Sequence, residues 1–168
     1  MSPTNLRYLQ GYSPALLQQA SALVESGRLP AWLRERYNAA HDIRNDKSLY
    51  LYVIEIKQRF LKQSGPLSKV VYDDRIDVLN HALGLHTRIS RVQGGKLKAK
   101  REIRIASLFR DAPPPMLEMI VVHELAHLRE MDHNKAFYKL CCHMQPDYHQ
   151  RELDTRLYLT CLDQFGPL

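Results

Sequence analysis

The apolar positions change their period along the chain, and each change marks an element. Ser13-Pro14 opens a run with helical spacing and Gly27 closes it, which predicts a helix over 14–26. Serine caps such a run, proline fits the first turn, and glycine suits the position past the last. A short segment over 30–37 follows and carries the sole tryptophan, Trp32. From Asp46, read as a cap, Leu49, Val53, Ile56 and Phe60 recur at three- and four-residue intervals until Ser64-Gly65-Pro66 breaks them. The texture then turns to short β-branched runs over 69–72, 87–92 and 98–107. Gln93-Gly94-Gly95 between the last two makes a hairpin plausible. Past Asp111-Ala112 and Pro113-Pro114-Pro115, Leu117, Ile120, Val121, Leu125 and Leu128 form the buried stripe of another helix. Asn134 caps a further helix to about Met144, stopped by Pro146. Asp147, with Gln150 three residues on, is a capping-box-like start for a last helix over 148–163. The pattern predicts an α+β fold in a single domain over residues 1–168. A small, antiparallel-rich sheet lies between N- and C-terminal helices.

Composition narrows the class. A chain of 168 residues, 45% hydrophobic and 25% charged, fits one soluble globular domain. No stretch has the length of uncharged apolar residues that a membrane span needs. The start has no basic segment leading into an apolar one, so nothing suggests export. Three cysteines, two of them neighbours, argue for reduced thiols and a cytoplasmic home. The net charge of +6 is localised. From Arg88 to Arg104, seven basic residues face one acid, Glu102, and the remaining residues balance. A localised block of this kind suggests an anionic partner.

His123-Glu124-Leu125-Ala126-His127 is an H-E-x-x-H pentapeptide on a predicted helix. Residues four apart share a helix face, so His123 and His127 can converge on one cation. Glu124 stands beside that face, where it can take a proton from an activated water. His133, six residues after His127, is the candidate third ligand. It reaches the cation only if the helix ends between them and the chain turns back. Glu130 stands where such turns often have glycine, and it is also the rival ligand, on the same side as His127. Asp132, His133 and Asn134 tolerate positive φ well enough to make the turn. Three ligands leave a position open, as catalytic zinc sites do. His41, His81, His143 and His149 read as ordinary solvated or hydrogen-bonded residues, and Cys141 and Cys142 as small buried hydrophobes.

Just upstream lies a candidate phosphate cradle of Arg91, the Gly94 and Gly95 backbone amides, Lys96 and Lys98. A solvated charged face is the plainer reading of the same run, because Lys98, Lys100 and Arg104 share one side of a strand with Glu102.

The stretch Ile120-Val-Val-His-Glu-Leu-Ala-His-Leu-Arg-Glu-Met-Asp-His-Asn-Lys-Ala-Phe-Tyr resembles the YgjP-like metal-dependent hydrolases. These are small zincin-type proteins related to the SprT-like and WLM families. The likeness extends upstream through Ala82–Lys100 and downstream through Asp154-Thr-Arg-Leu-Tyr-Leu, so it covers nearly the whole chain. Where many members carry an Arg-Trp-Gly-Ser-Cys-like segment, this chain has Ser90-Arg-Val-Gln-Gly-Gly-Lys96. The resemblance implies zinc ligands at His123, His127 and His133 and a general base at Glu124. It also implies either a metallopeptidase or, by one branch, a nucleoside triphosphate pyrophosphatase converting UTP to UMP and diphosphate.

The localised charge favours the second reading, since a triphosphate carries several negative charges. The expected cofactor is Zn²⁺ or another divalent cation, with Mg²⁺ or Mn²⁺ possible beside a nucleotide. The expected partner is an anionic nucleoside triphosphate, with peptide or nucleic acid as alternatives and no membrane. A third reading is a nucleic-acid-binding module with a non-catalytic metal site, which the pI of 9.3 allows.

Overall fold

A computed structural model describes residues 5–76, 85–93 and 96–168; over 85–93 and 96–100 the description is of the backbone. Its contacts group the chain into two compact units, Met1–Ala39 with His149–Leu168, and Ala40–Tyr148.

The first unit is helical. α1 (Pro14–Glu25) begins where Ser13 Oγ accepts the Leu16 amide and is followed by Gly27 at φ +72°. α2 (Leu29–Arg36) occupies the segment around Trp32, with Leu29 and Leu33 buried. The unit also contains most of the closing helix (Tyr148–Phe165). Asp154 of that helix is fully buried and receives hydrogen bonds from Gln150 Nε2 at 2.8 Å and from the Tyr37 phenol. Gln150 is thus spent on Asp154, four residues on. Burial, then the bond to Asp154, pushes the Tyr37 hydroxyl up to about 12.

The second unit carries the sheet. α3 (Asp46–Phe60) is capped by Asn45, whose side chain accepts the Ser48 amide at 2.8 Å. Asp46, expected as the cap, instead accepts the Tyr72 amide at 2.9 Å and ties α3 to the first strand. The strands are β1 (Lys69–Asp73), β2 (Leu85–Gln93) and β3 (Lys96–Ala106), in the order β1-β3-β2. β2 pairs antiparallel with β3, with Gln93 opposite Lys96. β1 pairs parallel with β3, Val71 opposite Arg104. This corrects the expectation of an antiparallel-rich sheet. The parallel pairing is non-local, and short β-branched runs do not encode strand direction.

α4 (Pro114–Ala126) touches α3, β3 and the following helix, α5 (Lys135–Met144). Leu117, Met119, Ile120, Val121, Val122, Leu125 and Ala126 are all buried, so α4 is apolar on every side rather than along a stripe. α5 begins where Asn134 Oδ1 accepts the Phe137 amide at 2.9 Å. Numbering on, the closing helix Tyr148–Phe165 is α6. No helix among the described residues is long and apolar enough to cross a membrane.

Candidate metal centre

α4 stops at Ala126 and leaves His127 as its C-cap. The Arg129 and Glu130 amides both return to the Ala126 carbonyl, at 3.1 and 3.0 Å, so the chain winds off the helix tightly there. His133 comes back beside the motif in consequence. Asn134 contributes no left-handed bend, since its φ is −96° and its ψ −177°; it is extended and caps α5. Arg101 of β3 adds a 3.2 Å hydrogen bond to the Leu128 carbonyl in the same turn.

The result is a triangle of imidazoles. Ring centres lie 4.9 Å apart for His123–His127, 5.0 Å for His123–His133 and 4.9 Å for His127–His133. One nitrogen from each falls within 4.8 Å of the others, and His127 Nε2 stands 3.1 Å from His133 Nε2. His123 and His127 are buried, whereas His133 is exposed and opens one edge. Two nitrogens held about 2.05 Å from a common tetrahedral ion would lie roughly 3.3 Å apart. The observed spacing fits that requirement.

Each buried ring is held from behind. The Glu130 backbone carbonyl lies 2.9 Å from His127 Nδ1. A carbonyl accepts only, so Nδ1 carries the proton and Nε2 keeps its lone pair. Glu130 therefore serves through its backbone, and the group that could hold a metal consists of the three histidines. Burial, with His133 adding to it, holds His127 below the usual imidazole range and favours the neutral, ligating form. The Tyr148 hydroxyl lies 2.8 Å from His123 Nδ1. The Phe137 ring faces all three imidazoles at 4.6–5.0 Å.

Glu124 lies next to His123 and is 1% exposed. Burial alone pushes its carboxyl up to about 8. A divalent charge in the triangle would favour the ionised form and pull that value back. The residues present thus fit a divalent cation: three imidazoles whose nitrogens converge, with a carboxyl next to them in sequence.

Sequence reasoning found the histidines through their spacing but missed Tyr148 and the ring of Phe137 as neighbours of the site. Tyr148 lies 25 residues from His123, beyond the reach of periodicity. Phe137 carries no chemical signal that sets it apart from the other apolar positions of α5.

Of the phosphate cradle, Gly94 and Gly95 lie outside the described residues. Arg91 sits opposite Lys98 on the β2–β3 ladder, with Val92–Leu97 between that pair and Gln93–Lys96. Arg104 is committed elsewhere, 3.0 Å from Asp73 and 3.1 Å from Glu102. His81 also lies outside the described residues. His41 is hydrogen-bonded at 2.9 Å to the Phe109 carbonyl, and its Nδ1 accepts the Ile43 amide. Cys141 is buried while Cys142 is half-buried, and both are free thiols.

A model of the YgjP-like, metallopeptidase domain family matches residues 69–156, a span that contains Glu124 and all three histidines. The UTP pyrophosphatase of Escherichia coli (strain K12) is 59% identical over 159 residues, covering 95% of each chain. The chain belongs to the YgjP-like family. Family membership and this relative place it among the metal-dependent hydrolases. No solved structure matches it significantly. Within the family's span the described residues supply the strand β1, the helix α4 and the whole imidazole triangle.

Proposed function

We propose that this chain is a nucleoside triphosphate pyrophosphatase that hydrolyses UTP to UMP and diphosphate. The observation that carries the reading is the 59% identity, over nearly the full length of both chains, to a UTP pyrophosphatase. The localised positive charge between Arg88 and Arg104 supports it, because a triphosphate must be held against its own repulsion. In this reading the fold is zincin-like, residues 1–168 act as one domain and α4 is the active-site helix. The three free cysteines support a cytoplasmic setting.

His123, His127 and His133 hold the cation, and their all-imidazole donor set favours Zn²⁺. When bound, the ion supplies Lewis acidity for water and phosphoryl oxygen. Glu124 takes the proton from the attacking water and hands it to the departing diphosphate oxygen. Its buried position keeps that proton from exchanging with bulk solvent. Arg91, Lys96, Lys98 and the Gly94-Gly95 amides orient the phosphates and offset the charge that builds on them. The Phe137 ring packs against all three imidazoles and the Tyr148 ring against His123, while the edge at His133 stays open.

A second reading, a zinc metallopeptidase, is favoured by the metallopeptidase description of the family. There Glu124 would activate water toward a carbonyl carbon, and the basic segment would dock the substrate. The test resolves products by chromatography, after separate nucleoside triphosphates and an unfolded protein are each incubated with metal-loaded wild type and Glu124→Gln. UMP and diphosphate from UTP, with wild type alone, is the expected result. Protein fragments beside intact nucleotides would overturn it.

A further inference from the structure

We propose that Tyr148 is a positioning residue of the metal centre: its phenol oxygen accepts the Nδ1 proton of His123 and fixes the tautomer whose Nε2 lone pair serves the cation. The proposal rests on reading the imidazole triangle as a metal centre.

A neutral imidazole carries its proton on one nitrogen or the other, and a ring protonated on Nε2 cannot ligate through that atom. Each ring of the triangle therefore has to be set before a cation arrives. His127 is set by the Glu130 carbonyl, a group that only accepts. His123 faces a side chain instead. Tyr148 Oη lies 2.8 Å from His123 Nδ1, and the two ring planes are 22° apart. The phenol side chain is completely buried, so water cannot stand in for the contact. Phe137 against His123 at 5.0 Å and Tyr138 against Tyr148 at 6.2 Å keep both rings from turning away. A hydroxyl can donate or accept, and only the accepting arrangement leaves Nε2 free for a metal. Outer groups of this kind orient ligands and raise their basicity. The lock on His127 is backbone, common to any side chain at position 130. The lock on His123 comes from a side-chain hydroxyl, at the first residue of α6.

The experiment uses the full chain and Zn²⁺ alone. Affinity is measured by chelator competition for wild type and Tyr148→Phe. Side-chain ¹⁵N spectra of the metal-free proteins report which nitrogen of His123 is protonated. Zn²⁺ binding weaker by about 10-fold or more in Tyr148→Phe is expected. Metal-free wild type should show His123 protonated on Nδ1, and the variant a mixture of tautomers. Affinities within about twofold of each other would overturn the positioning role while leaving the metal centre standing. So would a proton on Nε2 of His123 in metal-free wild type, a result that needs no substitution and is immune to any folding defect. Wild type that binds no zinc would overturn the metal reading and the proposal together. A packing role alone would lower the unfolding temperature of Tyr148→Phe and leave both the affinity and the tautomer unchanged.

Discussion

Replacing the Glu124 carboxyl by an amide of the same size removes its capacity to take a proton and leaves its volume in place. Glu124 is buried at 1% exposure and is not among the three histidines that could hold a metal, so Glu124→Gln should keep the fold and the capacity to bind metal. Steady-state UTP hydrolysis by this variant should fall by about 10²- to 10⁴-fold, the usual worth of a general base. Metal analysis should find wild-type stoichiometry; a variant that loses the metal as well would make Glu124 a ligand. His133 differs because it is the exposed member of the triangle. His133→Ala should weaken metal binding without unfolding the chain, read by chelator competition beside circular dichroism. At this scale the motif was legible because two histidines four apart say which face they share. The turn that returns His133 was legible only as a requirement. Glycine does not make it; tight amide bonds back to Ala126 and the Glu130 carbonyl do. Tyr148 left no trace in the sequence, since its contact depends on where α6 begins.

The elements that hold these residues differ in how openly the sequence declares them. Ser13, Gly27 and Asn134 act where their chemistry predicts, because caps are local. Asn45 and Asp46 are neighbours with the same capping ability, and tertiary contact with Tyr72 decided which one caps. α2 was harder to see because eight residues with two buried leucines carry little periodicity. Asn134→Ala should cost about 1 kcal/mol in denaturant unfolding, since it frees the first amides of α5, the helix that carries Phe137. Ile120→Ala in α4 should cost roughly 2–5 kcal/mol in the same measurement, because a fully buried side chain leaves a cavity. The β1–β3 pair carries a pH dependence. The Arg75 amide, then the guanidinium groups of Arg75 and Arg104, hold the Asp73 carboxyl below its usual range. A depressed folded value stabilises the fold above the unfolded value of about 3.9, and the contribution fades as pH falls through the folded one. Asp73→Asn should therefore lower the unfolding temperature at neutral pH. It should also flatten its decline below about pH 4; a parallel decline in both proteins would remove Asp73 from the account.

For the whole molecule, the question is what a net charge of +6 drawn from one stretch does. Part of the stretch is internal. Arg104 is paired with Asp73 and Glu102, and Arg101 holds the turn after α4. In the proposed reading the anionic partner is served from the β2–β3 end, where Arg91 stands opposite Lys98 and Gln93 opposite Lys96 in the strand register. Two kinds of variant separate these roles. Arg104→Gln breaks internal ion pairs, so it should lower stability. Lys96→Gln with Lys98→Gln removes charge from the proposed cradle, so it should raise KM for UTP by roughly 10-fold and change kcat less. Charges that act across solvent are screened over about 8 Å at physiological salt. KM of the wild type should therefore climb with ionic strength, and the double variant should climb less steeply. Equal salt dependence in the two proteins, with KM unchanged, would return the lysines to a solvated face and leave the triphosphate to be held elsewhere.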